Sequence, residues 1–138
     1  MYGSKKTKNK HIEIDGRKIG PDFPPYIIAE VSANHNGDLN RAIEIIKMAK
    51  NCGADAIKLQ TYTQDTLTID CDSPDFLIKN GLWKGRTLYD LYAEAHMPWE
   101  WQKPLFEFAG KLGITIFSTP FDSTAVDFLE NLGTPVYK

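Results

Sequence analysis

Four short apolar runs constrain this chain most, because each breaks off into residues able to do chemistry. They are Tyr26–Glu30, Ala56–Gln60, Ile114–Thr119 and Pro135–Lys138. Runs rich in Ile and Val with little polar alternation read as strands buried on both faces. Segments with helical spacing lie between them, so the order is β-α-β-α and a parallel sheet is expected. The carboxyl ends of parallel strands share one face, and in a barrel that face carries the active site. Glu30, Lys58, Gln60, Ser118, Thr119 and Lys138 sit at or beside those ends, so they are expected to converge on one pocket. Convergence from such distant positions points to an enzyme.

Composition narrows the class of partner. At 138 residues the chain can form one domain with a core of its own, and 42% hydrophobic with 25% charged residues is ordinary for a globular protein. A formal charge of −2 gives no electrostatic case for nucleic acid or an anionic membrane. The basic cluster within residues 1–10 reads as a disordered, solvated tail. Two cysteines, Cys52 and Cys71, make neither a disulfide framework nor a metal-spaced set. Cys52 falls at a helix end and is expected as a small buried hydrophobe. No apolar stretch approaches the ~20 residues that span a bilayer, and no signal-peptide core follows Met1. A reduced, cytoplasmic compartment is the resulting expectation.

Residues 11–25 read as a prelude. His11–Ile14 alternates, Asp15-Gly16 is a hairpin turn, and Arg17–Gly20 returns. Pro21, Pro24 and Pro25 then deliver an extended chain into the first buried run. After Glu30 comes a loop of turn formers, Val31 to Asp38, with Asp38 placed to cap a helix. Leu39, Ala42, Ile43, Ile46 and Ala49 follow at helical spacing, and Gly53 closes that segment. From about 62 to 97 the periodic unit is interrupted by an insert, within which Leu88, Leu91, Tyr92 and Ala95 suggest one short helix. Pro98 opens the next long helix, Gly113 ends it, and a further helix runs from Ser123 to Leu132. The aromatic residues Trp99, Trp101, Phe106 and Phe108 are expected in core packing.

The chain reaches a fourth strand at its last residues, whereas a closed eight-stranded barrel needs about 250 residues. The expected architecture is therefore α/β: parallel βα units of a TIM barrel, truncated at about strand four and preceded by an N-terminal β-hairpin. Residues 26–138 make up that first half of a barrel.

The polar strand ends carry the functional reading. Glu30 either pairs with a neighbouring lysine to satisfy the core or serves as a general base. Lys58 lies between Ile57 and Leu59, and a lysine so placed needs an anion, either Glu30 or a ligand. Lys138 repeats that argument on the fourth strand. Two inward ammonium groups suit a phosphate or carboxylate, and Ser118 and Thr119 precede a helix whose N-terminal amides favour negative charge. His35 is either a hydrogen-bonded framework group of the loop or a group for proton transfer. It has no second His or Cys at metal-ligand spacing.

These residues carry a resemblance. Ile28-Ala29-Glu30 with Asn34-His35-Asn36-Gly37, then Gly53 through Thr61, then Phe117 through Asp122, together resemble the sialic acid synthase family of nonulosonate synthases. The insert, with Leu82-Trp83-Lys84-Gly85-Arg86 and Pro98-Trp99-Glu100-Trp101, is most similar to the pseudaminic acid synthase branch. The resemblance implies condensation of phosphoenolpyruvate with a 2,4-diacetamido-2,4,6-trideoxy hexose, releasing phosphate. N-acetylneuraminate or legionaminate synthesis, or an inactive half-barrel fragment, are its alternatives. It further implies Glu30 as the essential carboxylate near the reacting carbons, Gln60 facing the sugar, and Lys58, Thr119 and Lys138, with Ser118 as their neighbour, binding phosphoenolpyruvate. His35 is a catalytic candidate from its place in the loop alone. A manganese or magnesium ion, held by histidines beyond this chain, and a homodimer are also implied, so the fragment alone is expected to be inactive.

Overall fold

The computed structural model describes residues 11–138; the expected basic tail lies outside the described residues. Strands β1 (Ile12–Ile14) and β2 (Arg17–Ile19) pair antiparallel across Asp15-Gly16. Both turn residues have positive φ, 49° and 79°, the geometry an Asp-Gly hairpin turn demands. A separate parallel sheet has the order β3 (Ile28–Glu30), β4 (Ala56–Thr61), β5 (Thr115–Pro120). Two long helices, α1 (Leu39–Asn51) and α4 (Trp99–Leu112), provide the crossovers, together with the shorter α2 (Gln64–Leu67) and α3 (Leu88–Ala95). Helix α5 (Ser123–Asn131) follows β5.

Parallel register decides what each face of the sheet carries. Ala29 pairs with Ile57, Ile57 with Ile116, and Leu59 with Ser118, so these residues share one face. Ile57, Leu59 and Ile116 join Ala42 and Ile46 of α1 and Leu105 and Ala109 of α4 in the core. Each fully buried Leu or Ile contributes about 1.5–3 kcal/mol, so the sheet–helix layer is the principal apolar stabilisation. The helices begin and end where local chemistry dictates. Asp38 accepts from Asn40 N at 2.8 Å to cap α1, and Gly113 ends α4 at φ 71°. Trp101, Phe106 and Phe108 pack against the core.

The hairpin is tied to the amino ends of the strands. Arg17 forms an ion pair with Asp55, just before β4, and Asp15 accepts from Thr115 Oγ1 at 2.8 Å. It therefore lies at the opposite end from the polar strand tips.

Three expectations change. Helical spacing would carry Cys52 onto the buried stripe of α1, but the helix ends at Asn51 and Cys52 is exposed. The expected fourth strand is reduced to one parallel bridge, Tyr137 with Ser118, plus a 3.3 Å bond from Lys138 N to Ser118 O. Strand β3 is not buried on both faces, since Ile28 is 41% exposed. Among the described residues no helix is long and apolar enough to cross a membrane.

Candidate functional site

The face of the sheet opposite α1 and α4 is where the charges gather. Glu30 and Lys58 are register partners, so their side chains emerge side by side on that face. Lys58 Nζ donates to Glu30 Oε1 at 2.5 Å. The lysine is the covered member of the pair, its side chain only 11% exposed against 58% for the glutamate. The hydrogen bond from Lys58 holds the Glu30 carboxyl below its ordinary range. The lysine's charge adds to this, partial burial opposes it, and the Lys138 charge lowers it further. Lys138 is an exposed residue at the chain end, anchored through its backbone N to Ser118 O at 3.3 Å, and no ion pair ties its side chain to Glu30.

Two residues further along the same face come Gln60 and its register partner Thr119. The rise of an extended chain puts them about 7 Å beyond Lys58, toward the carboxyl ends of the strands. Thr119 Oγ1 is buried without a hydrogen-bond partner, so it has capacity left for a ligand. Nearby, Asp122 caps α5, accepting from Ala125 N at 2.9 Å and from Thr124 Oγ1. Those bonds hold its carboxyl below the usual range.

Glu30, Lys58, Gln60 and Thr119 therefore share one face of the sheet, with Lys138 bonded through its backbone to the neighbouring Ser118, and two expected members do not join them. Strand alternation turns Ser118 to the helix side, where its hydroxyl lies 2.7 Å from Thr61 Oγ1. Thr61 in turn donates to Gln102 Oε1 of α4 at 2.8 Å, and all three residues are completely buried. Ser118 was expected beside Thr119 because both precede a helix, but neighbours on a strand face opposite ways.

His35 is the second departure. Its side chain is 1% exposed and packs edge-on to Trp101 of α4, with ring centroids 5.6 Å apart. Nδ1 accepts from Gly37 N at 3.1 Å, fixing the loop between β3 and α1. Burial pushes its pKa down, against the pull of the Ala95 carbonyl, and the His96 charge lowers it further. No hydrogen bond connects it to Glu30 or Lys58. The framework reading of this loop histidine fits the structure better than proton transfer.

Among the described residues no three His, Cys, Asp or Glu side chains converge, so the residues present do not fit a manganese or magnesium site. What this chain's own groups can do is bind an anion and hold a carboxylate beside it.

One feature of the site was missed from the sequence. Gln60 forms part of the wall of an open cavity of about 320 Å³, lined also by Leu67, Leu91 and Tyr92 from the insert and by Tyr62 and Phe121. Tyr62 meets Phe121 and Tyr92 edge-on, at centroid distances of 5.4 and 6.1 Å. The threonines of the insert drew attention to polarity, and its scattered Leu and Tyr residues follow no period that would signal a shared wall.

Comparison with known proteins bears on the family and the fold. The NeuB family model matches residues 45–138. A pseudaminic acid synthase from Campylobacter jejuni is 52% identical over 117 residues, which cover 85% of this chain and 34% of that protein. The corresponding synthase of Helicobacter pylori is 50% identical over 115 residues, covering 83% of this chain and 34% of that protein. A crystal structure of the N-acetylneuraminic acid (sialic acid) synthetase from Leptospira borgpetersenii, in complex with citrate, matches with a TM-score of 0.76 at 29% identity. That match covers 94% of this chain and 40% of the synthetase. The chain spans about a third of the length of the curated relatives it matches. With a matching fold in a solved synthetase and a family match over residues 45–138, more than half of its length, the chain belongs to the NeuB family.

Proposed function

We propose that this chain is the phosphoenolpyruvate-binding part of a pseudaminic acid synthase, formed from the first strands of a TIM barrel. The enzyme condenses phosphoenolpyruvate with a 2,4-diacetamido-2,4,6-trideoxy hexose. The observation that carries this reading is the Glu30–Lys58 pair at matched register, with the Lys138 charge reaching Glu30. About 50% identity to pseudaminic acid synthases supports the choice of substrate.

Phosphoenolpyruvate carries close to three negative charges at neutral pH. Lys58 and Lys138 supply two compact positive charges, and the unpartnered Thr119 hydroxyl is a further donor. On binding, the anion competes with Glu30 for the Lys58 ammonium and leaves the carboxylate beside the reacting carbons. In the proposed reaction C3 of phosphoenolpyruvate bonds to the aldehyde carbon of the open-chain sugar. Positive charge then develops at C2, where Glu30 stabilises it. Water adds to C2, and the C–O bond to phosphate breaks. The sum is one sugar, one phosphoenolpyruvate and one water giving one nonulosonate and one phosphate.

Protein expressed from the complete gene, given phosphoenolpyruvate and the diacetamido sugar, is expected to release phosphate in step with nonulosonate. Phosphate release that depends instead on N-acetylmannosamine, or on the legionaminate precursor, would transfer the assignment to another sugar. No release with any of them would overturn it.

A further inference from the structure

We propose that the cavity beside Gln60 seats one acylamino substituent of the sugar, and that Leu91 and Tyr92 of α3 set how large an acyl group is accepted. This rests on the reading above and extends it to the residues that choose among sugars.

The cavity has the chemistry of an amide in an apolar setting. None of its lining residues is charged. Leu67 and Leu91 supply aliphatic surface, while Tyr62, Tyr92 and Phe121 supply aromatic surface. Burial, with Tyr92 adding to it, pushes the Tyr62 phenol up, so it stays neutral at physiological pH. Gln60 brings a carbonyl and an NH₂ together, the complement of an amide N–H and C=O. An acyl methyl then faces carbon while its amide meets Gln60. A phosphate or carboxylate would find no counter-charge here, so the cavity does not duplicate the anion site at Lys58.

Position agrees with that assignment. Gln60 lies on the same strand face as Lys58, about 7 Å on. A reactant held at Lys58 and a second seated beside Gln60 would therefore be neighbours on one face of the sheet. The walls are also built rather than incidental. Tyr89 Oη of α3 donates to Asp65 of α2 at 2.8 Å, locking the two insert helices together. Trp99 Nε1 donates to Tyr62 O at 3.1 Å and holds the strand end against α4. Thr87 caps α3 by accepting from Asp90 N at 3.0 Å. The volume, about 320 Å³, is several times that of an acetyl group, so the space takes the acyl group together with the part of the ring that carries it.

The test compares N-acetyl with N-butanoyl homologues of the diacetamido sugar, one for each nitrogen, in protein from the complete gene. Leu91→Ala is expected to move the kcat/KM ratio toward the butanoyl homologue about tenfold at one of the two nitrogens. The KM for phosphoenolpyruvate should stay within twofold. An unchanged ratio at both nitrogens overturns the proposal. Saturation-transfer NMR on the unaltered protein supplies a second readout that needs neither turnover nor a variant. The acyl methyl of one acetamido group should receive the strongest transfer from aromatic protons, and uniform transfer across the sugar would overturn the proposal. Failure of turnover with strong methyl transfer would instead overturn the reaction assigned above and leave the pocket standing.

Discussion

An ammonium as covered as that of Lys58 needs an anion within reach, and Glu30 meets that need at 2.5 Å. Because the carboxylate is more than half exposed, solvent screens the pair and it adds about 1 kcal/mol or less to stability, while the function proposed for it is catalytic. Glu30→Gln should therefore lower turnover on the order of a hundredfold while unfolding close to the parent in urea. A loss of several kcal/mol would mean the carboxylate is structural. The lowered Glu30 pKa has a definite sign. Its stabilisation is fully present above the ordinary value of 4.5 and is lost as pH falls through the lower folded value. Unfolding curves of Glu30→Gln should lack that part of the acid sensitivity. His35 follows the same logic for a buried base. Its stabilisation is complete above 6.5 and is lost as pH falls through its lowered folded value, because burial resists protonation. His35→Ala should cost about 2 kcal/mol by removing the Gly37 acceptor and the contact with Trp101, as urea unfolding at neutral pH would measure. Phosphoenolpyruvate binding should change little, and a large loss of affinity in a folded variant would restore His35 to the site.

At the scale of elements, adjacent strand residues do different work. Ser118 closes a buried hydroxyl–amide chain to α4, while Thr119 on the other face has a hydroxyl in reserve. Ser118→Ala should cost about 1 kcal/mol in thermal unfolding and leave the KM for phosphoenolpyruvate within twofold. Thr119→Val should do the reverse, raising that KM about tenfold with little change in stability. Interchanged results would invert the face assignment. Much of this framework is legible in the residues. Apolar runs fix β4 and β5, and Asp38, Pro98 and Gly113 mark helix ends because capping and turn chemistry are local. Gln102 escaped notice because it belongs to no motif. Its signal was a polar residue in register with Leu105 and Ala109 on the buried stripe of α4. Ser118 was grouped with Thr119 by proximity to a helix, although strand alternation alone separates them. The cavity beside Gln60 was illegible, since its walls come from four segments whose approach is set by tertiary packing.

For the whole molecule, the consequential feature is how the sheet stops. Strand β4 is paired on both sides and nearly all buried, whereas β3 is paired only to β4 among the described residues. Ile27 and Ile28 beside that edge are 54% and 41% exposed. An apolar strand edge with open backbone donors and acceptors recruits another strand. In the proposed enzyme, further barrel strands fill that role, which is consistent with relatives about three times as long. The 138-residue chain by itself has only a second copy available. Sedimentation velocity on that chain should show concentration-dependent association. Ile28→Lys should suppress it, because charge on an edge strand opposes pairing and position 28 lies outside the main core layer. A monomer throughout the accessible concentration range would mean that the edge is already protected. Association unaffected by Ile28→Lys would move the sticky surface elsewhere, with the bridge between Ser118 and Tyr137 at the other side of the sheet as the next place to substitute.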